Sequence, residues 1–98
     1  MDITLTHQPG EGRGRYLAHV AGEVDPGRLT YLSPEPGRII VDHIVVPESL
    51  RGNGVAAVLA RHVVDEARAH GFRIVPQCPY MIAQAQKHPE WSDVVEPV

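Results

Sequence analysis

The stretch RIIVDHIVVPESLRGNGVAAVLARHVVDEARAHGFRIV, residues 38–75, decides the fold of this chain. An apolar run at residues 38–46 precedes a glycine-containing turn, a segment with apolar residues at helical spacing, and a second apolar run at residues 72–75. A strand, a crossover helix and a second strand form a right-handed βαβ unit with parallel strands. Because residues 38–46 are apolar almost throughout, we expect a central strand that is buried on both faces.

The helix of this unit is predicted over residues 55–70. Its apolar positions are Val55, Val58, Leu59, Val63 and Ala67. Charged residues lie on the opposite side, and Gly71 suits the left-handed conformation that often ends a helix.

Three shorter strands are predicted before this unit, and a short helix after it. The strands are residues 2–8, 15–21 and 28–33, separated by turns rich in glycine and proline. Residues 80–87 have a weak helical pattern that ends at His88-Pro89, and Trp91 is expected in the core. The predicted fold class is therefore mixed α/β (α+β). An antiparallel β-meander leads into a β-α-β unit with a parallel strand pair, and a short C-terminal helix follows.

The composition predicts one domain, residues 1–98, and excludes several kinds of partner. With 9 basic and 12 acidic residues the net charge is −3, which argues against nucleic-acid binding. The single cysteine, Cys78, has no internal disulfide partner, and the N-terminus lacks a signal-peptide pattern. The longest apolar run, residues 55–60, is far shorter than the ~20 residues of a membrane span. We therefore expect a cytoplasmic protein that binds neither membrane nor nucleic acid.

The turn R-G-N-G-V-A at residues 51–56 predicts an anion site. A helix start has backbone N–H groups without intrahelical acceptors and carries the positive end of the helix dipole. Gly52 and Gly54 would let the backbone approach a phosphate, although the same glycines would also serve a plain turn. A nucleoside-triphosphate loop needs a lysine that is absent here, and a dinucleotide fold needs its glycines after the first strand of a parallel sheet.

The same residues resemble a known family. Arg51, Gly54 and Ala56 match the Arg/Gln-x-x-Gly-x-Gly/Ala motif of the GNAT acyltransferases. Further matches indicate a short, single-domain branch of that superfamily: His43 with Val46-Pro47, Pro76-x-Cys78-x-Tyr80, and His88-Pro89-Glu90-Trp91.

The resemblance implies a function and a set of partners. The activity would be transfer of an acetyl group from acetyl-CoA to a primary amine, carried by a small molecule or a protein, in a monomer or weak homodimer. The coenzyme A would lie between the parallel strands, with an oxyanion bound by a backbone N–H of the fourth strand. Its binding residues would be Val45, Val46, Arg51, Gly52, Asn53, Gly54, Val55 and Ala56. No metal site is predicted, because the histidines lack the spacing of a ligand set.

The resemblance also assigns three catalytic residues, each with an alternative. Cys78 would be a covalent acyl acceptor or the acid that protonates the coenzyme A thiolate, but a lone cysteine is otherwise a small buried residue. His43 would be a base near Cys78, or else a core histidine. Tyr80 would donate a proton to the thiolate, or else would pack as an aromatic residue. Asn53 would cap the helix or bind a phosphate oxygen.

One departure from the family pattern weakens the assignment. The histidine of the short branch is commonly followed by Thr-Glu, whereas Ile44-Val45 follows His43 here. The nearest acid, Asp42, is expected on the opposite sheet face, because neighbouring strand residues alternate. An alternative function is therefore an acyl-CoA-binding or protein-interaction module with little or no turnover.

Overall fold

A five-stranded sheet organises the chain. The computed structural model describes residues 2–97. The strands are β1 (Ile3–Pro9), β2 (Arg13–Val20), β3 (Gly27–Glu35), β4 (Arg38–Val45) and β5 (Arg73–Pro76). The helices are α1 (Val55–His70) and α2 (Pro79–Lys87), with 3-10 turns at Glu48–Leu50 and Pro89–Asp93. The strand order is β1-β2-β3-β4-β5, antiparallel except for the parallel pair β4–β5. The predicted fold class is confirmed.

One face of the sheet carries the core. Leu29 of β3 and Val41 of β4 are fully buried there, and they pack with Leu59 of α1 and Met81 of α2. Trp91, in the second 3-10 turn, joins the same cluster as predicted. The helices and the C-terminal turn therefore form a single layer over the sheet.

The second face of the sheet, which we call the open face, has no such layer among the described residues. Along β4, Ile39 and Val41 are buried, whereas Ile40 is half-buried and Val45 is 41% exposed. The prediction of a strand buried on both faces is thus wrong. The apolar composition of β4 led to a wrong prediction because both helices contribute their buried residues to one core, so only one face of the strand is covered.

A β-bulge interrupts the pairing of β3 with β4. Thr30 pairs with His43, but the next residue, Tyr31, pairs with Val41, so Asp42 is extra. A bulge places two consecutive residues of one strand opposite a single residue of its partner. Beyond it, Ile44 again packs against the core. The bulge therefore presents both Asp42 and His43 on the open face, beside Thr30.

Gly27 determines how closely the start of α1 approaches the sheet. A Cβ on Gly27 would lie 2.7 Å from Cγ1 of Val55, the first residue of α1, and 3.5 Å from Cδ1 of Leu59. At the other end of α1, Gly71 has φ 77° and its N–H donates to Ala67 O at 2.8 Å, as predicted for the helix end. Both ends of α1 thus depend on a glycine.

Substituting Gly27 by alanine should destabilise the protein, because the added methyl group overlaps Val55. We expect a loss of about 1–3 kcal/mol in the free energy of unfolding, measured by urea denaturation. The variant Gly27→Ala/Val55→Ala restores room and should be more stable than the sum of the single changes predicts. Additive effects of the two substitutions would contradict this account of the contact.

Candidate active site

A cleft forms where β4, α1 and α2 meet. It has a volume of about 150 Å³. The residues lining it are Val46, Leu50, Arg51, Gly52, Gly54, Val55, Ala56, Ala57 and Tyr80. The fold thus brings most of the predicted coenzyme-binding residues together with one predicted catalytic residue, Tyr80.

The loop before α1 depends on two glycines. Gly52 has φ 83° and Gly54 has φ 74°, a backbone region that residues with a Cβ seldom adopt. Gly54 is itself the N-cap of α1, and no side chain caps the helix. The prediction that Asn53 caps α1 is therefore wrong, since the cap falls one residue later.

The amide groups of this loop are available to a ligand. In the part of the chain that the structure describes, the backbone N–H groups of residues 52–57 donate to no protein acceptor. On either side, Arg51 N–H donates to Glu48 O at 3.2 Å and Val58 N–H to Gly54 O at 3.1 Å. Six successive donors at the positive end of a helix, next to the exposed Arg51, suit a multiply charged anion such as a diphosphate.

The strands β4 and β5 separate beside this cleft. Their pairing ends at Val41 and Pro76, and the N–H groups of Gln77 and Cys78 then both donate to Val41 O, at 3.0 and 3.1 Å. β4 continues to Val45, whereas the chain turns into α2. Residues 42–45 therefore have no strand on their β5 side within the described residues, which leaves the predicted gap between the parallel strands.

Cys78 lies at the start of α2 and is only 6% exposed. It is the N-cap residue, and its Sγ accepts a hydrogen bond from Met81 N–H at 3.3 Å. The side chain belongs to the core and does not line the cleft. The geometry gives Cys78 a structural role, and its catalytic role stays a prediction.

His43 lies on the open face, with 70% of its side chain exposed. Its Nδ1 is 3.3 Å from Asp42 Oδ2, and Asp42 Oδ1 accepts a hydrogen bond from Thr30 Oγ1 at 2.7 Å. The expectation that Asp42 points away from His43 is thus wrong, because the bulge cancels the alternation on which it was based. The side chain of Cys78 belongs to the core on the other face, so the structure does not pair the two predicted catalytic residues.

Tyr80 is half-buried beside Val46 and the first turn of α1. Burial raises the pKa of its hydroxyl above the usual value of 10.0. The hydroxyl therefore remains protonated near neutral pH and can act as a hydrogen-bond or proton donor in the cleft. Of the other predicted binding residues, Val45 and Asn53 do not line the cleft.

Sequence reasoning missed Asp42 and Thr30. A signal was present, because two adjacent polar residues, Asp42 and His43, separate Val41 from Ile44, both of which contact the core. One extra residue in the strand allows both Val41 and Ile44 to face the core although two polar residues separate them. The His88-Pro89-Glu90-Trp91 match has a structural explanation, since the His88 ring stacks on Trp91 with centroids 4.3 Å apart.

Among residues 2–97, no group of three or more histidine, cysteine, aspartate or glutamate residues could hold a metal ion. No helix in that part of the chain is long and apolar enough to cross a membrane.

Comparison with known proteins supports the same family. The sequence profile of the GCN5-related N-acetyl-transferase family matches residues 15–94. No curated protein matches the chain. An NMR structure of a GCN5-like protein from Staphylococcus aureus superimposes with a TM-score of 0.70 at 24% identity, covering 96% of this chain and 90% of that one.

Two larger solved structures share the fold. A ribosomal-protein-alanine N-acetyltransferase from Brucella melitensis biovar Abortus has a TM-score of 0.60 at 22% identity, over 91% of this chain and 67% of that one. A GNAT family acetyltransferase from Elizabethkingia anophelis, solved with acetyl-CoA bound, has a TM-score of 0.60 at 17% identity. That match covers 83% of this chain and 54% of the other.

The chain belongs to the GCN5-related N-acetyltransferase family, and it is therefore an acyltransferase. The residue pattern predicted its sheet and parallel strand pair, and its glycine loop carries the family motif.

The capping role of Cys78 can be separated from any chemical role. Cys78→Ala removes the acceptor for Met81 N–H and should cost about 1–2 kcal/mol in the free energy of unfolding. Cys78→Ser keeps an acceptor at the N-cap and should be closer to the wild type in thermal and urea denaturation. If the serine variant is as unstable as the alanine variant, the sulfur does not act as a cap.

Proposed function

We propose that this chain transfers an acetyl group from acetyl-CoA to a primary amine. The observation that carries the proposal is the run of six amide groups without a protein acceptor at the start of α1, within the described residues. Five of them belong to residues that line one cleft with Tyr80. Membership of the family supports an acetyl donor, and the related structure from Elizabethkingia anophelis is described with acetyl-CoA bound.

We assign coenzyme binding to the loop and the first turn of α1. The N–H groups of residues 52–57 would hold the diphosphate, and Arg51 would add a positive charge. Val46 and Tyr80 line the same cleft and would contact the remainder of the molecule. The free donors and the absence of a side-chain cap on α1 fit such an anion.

Different proton transfers of the reaction would take place on the two sides of the gap between β4 and β5. Acetyl-CoA supplies an activated acetyl group, and an amine must be neutral to attack it. His43, oriented by Asp42, would accept the proton from the amine on the open face. Tyr80 Oη, kept protonated by its raised pKa, would donate a proton to the departing sulfur on the cleft side. Holding the two reactants together would supply much of the remaining rate enhancement.

We further propose direct transfer without an acetyl-cysteine intermediate. Cys78 is buried, its sulfur is engaged with Met81 N–H, and it does not line the cleft. Incubation with acetyl-CoA and no amine, followed by mass spectrometry, should show no adduct on Cys78. A stoichiometric adduct would instead establish a double-displacement reaction.

A negative charge at the start of α1 should have opposite effects on the stability of the helix and on coenzyme binding. Ala57 lines the cleft and is exposed in the first turn. Ala57→Glu should stabilise the helix by about 0.3–1 kcal/mol through its dipole. The same charge should repel a diphosphate and raise the Kd for coenzyme A by roughly tenfold, measured by calorimetry at low ionic strength.

The matched control is Ala69→Glu, an exposed position in the last turn of the same helix. This variant should lower stability slightly and leave the Kd for coenzyme A unchanged. If the wild type and Ala57→Glu bind coenzyme A with the same Kd, the loop is not the diphosphate site.

Removal of the proposed base should lower turnover without affecting coenzyme binding. His43→Ala is expected to reduce kcat about 10²-fold, and Asp42→Asn should reduce it less, because it only orients the imidazole. Asp65→Asn, an exposed change on α1, serves as the control. If wild type and all three variants show the same negligible turnover while binding acetyl-CoA, the alternative of an acyl-CoA-binding module is correct.

A further inference from the structure

A groove of about 520 Å³ crosses the open face of the sheet. It is lined by Gln8, Arg13 and Arg15 at the β1–β2 end and by Asp42 at the β4 end, with Thr30 and Leu32 between them. Its volume lies within the range of small-molecule sites. It lies on the opposite side of the sheet from the core, so it is separate from the cleft at the start of α1.

The groove follows a row of paired residues that ends at His43, the neighbour of the lining residue Asp42. Gln8 pairs with Arg15, Arg15 with Thr30, and Thr30 with His43. Neighbouring strands are about 4.8 Å apart, so the backbone of Arg15 is roughly 10 Å from that of His43. An arginine side chain and a small ligand together can span this separation.

Opposite charges lie at the two ends of the groove. Arg15 Nε donates to Gln8 Oε1 at 2.6 Å, which leaves its terminal nitrogens free of protein acceptors, and Arg13 forms no ion pair among the described residues. At the other end is the Asp42 carboxylate, which accepts from Thr30 and contacts His43. A third arginine, Arg28, is exposed on the same face of β3. The open face is therefore basic, although the whole chain carries a net charge of −3.

We propose that this groove binds the acetyl acceptor, and that the acceptor is a small amino-carboxylate. The amine would lie beside Asp42 and His43, and the carboxylate would lie against Arg13 and Arg15. A simple alkylamine leaves the arginine end unused, and a polyamine places positive charge against it. The proposal rests on the proposed function, because it takes the Asp42–His43 pair as the site of proton removal.

Matched probes test this assignment. In the first experiment, the coenzyme-free protein is titrated with 4-aminobutyrate, butylamine, butanoate or spermidine, and binding is monitored by amide chemical shifts. In the second, 4-aminobutyrate, butylamine and spermidine are compared as acceptors in the presence of acetyl-CoA. We expect 4-aminobutyrate to perturb residues of the groove and to be preferred over butylamine about tenfold in kcat/KM, the equivalent of one charged contact. Preference for butylamine or spermidine, or shifts outside the groove, would overturn the proposal.

Arginine variants identify the source of the preference. Arg13→Gln/Arg15→Gln should raise KM for 4-aminobutyrate about tenfold without lowering kcat/KM for butylamine, because butylamine has no carboxylate for the arginines to bind. Arg61→Gln, an exposed position on α1, is the control for the loss of a charge and should behave as the wild type. An Arg15→Lys variant should retain part of the preference. Loss of activity with both acceptors, or no effect of the double change, would contradict a role in acceptor binding.

The outcomes distinguish this inference from the proposed function. Acetylation of butylamine and 4-aminobutyrate at equal rates would refute the amino-carboxylate specificity and leave the acetyltransferase function intact. Failure to bind acetyl-CoA would refute the proposed function, and the chemical-shift titration would still report whether the groove binds an amino-carboxylate.

Discussion

The contact of Val55 with Gly27 is the constraint on which the candidate active site depends. Because β3 has no side chain at that position, the first turn of α1 can lie directly against the sheet. The glycine loop is thereby held next to the end of β4, and most of its residues line the same cleft as Tyr80. A helix that started farther from the sheet would keep its dipole but lose this alignment with the gap between β4 and β5.

The two faces of the sheet present different chemistry, which suits a reaction with two reactants. The face that carries the helices offers backbone donors and a protonated tyrosine, whereas the open face offers arginines, a histidine and a carboxylate. The strand gap beside residues 42–45 lies between them. In the reaction proposed above, a second layer would cover the groove and exclude the acceptor from His43, so the uncovered face is a requirement of that proposal.

Much of this organisation could be predicted from the sequence. Periodicity identified α1 with its bounds, glycines and prolines marked the turns, and the R-G-N-G-V-A motif located the loop of the cleft. Residue-level geometry could not be predicted in the same way. The positions of Asp42 and His43 depend on a bulge that follows from pairing with β3, and the exposure of Val45 depends on where both helices pack. Such features are tertiary, so a pattern within one segment does not specify them.

The burial of Cys78 has a consequence for how this protein responds to oxidants and electrophiles. A sulfur that is nearly closed to solvent and engaged with a helix N-terminus can react only after the first turn of α2 has opened. Its rate of alkylation would then measure the free energy of that local opening, separately from global unfolding. Alkylation of Cys78 would therefore report local opening of α2, the helix that also contains Tyr80.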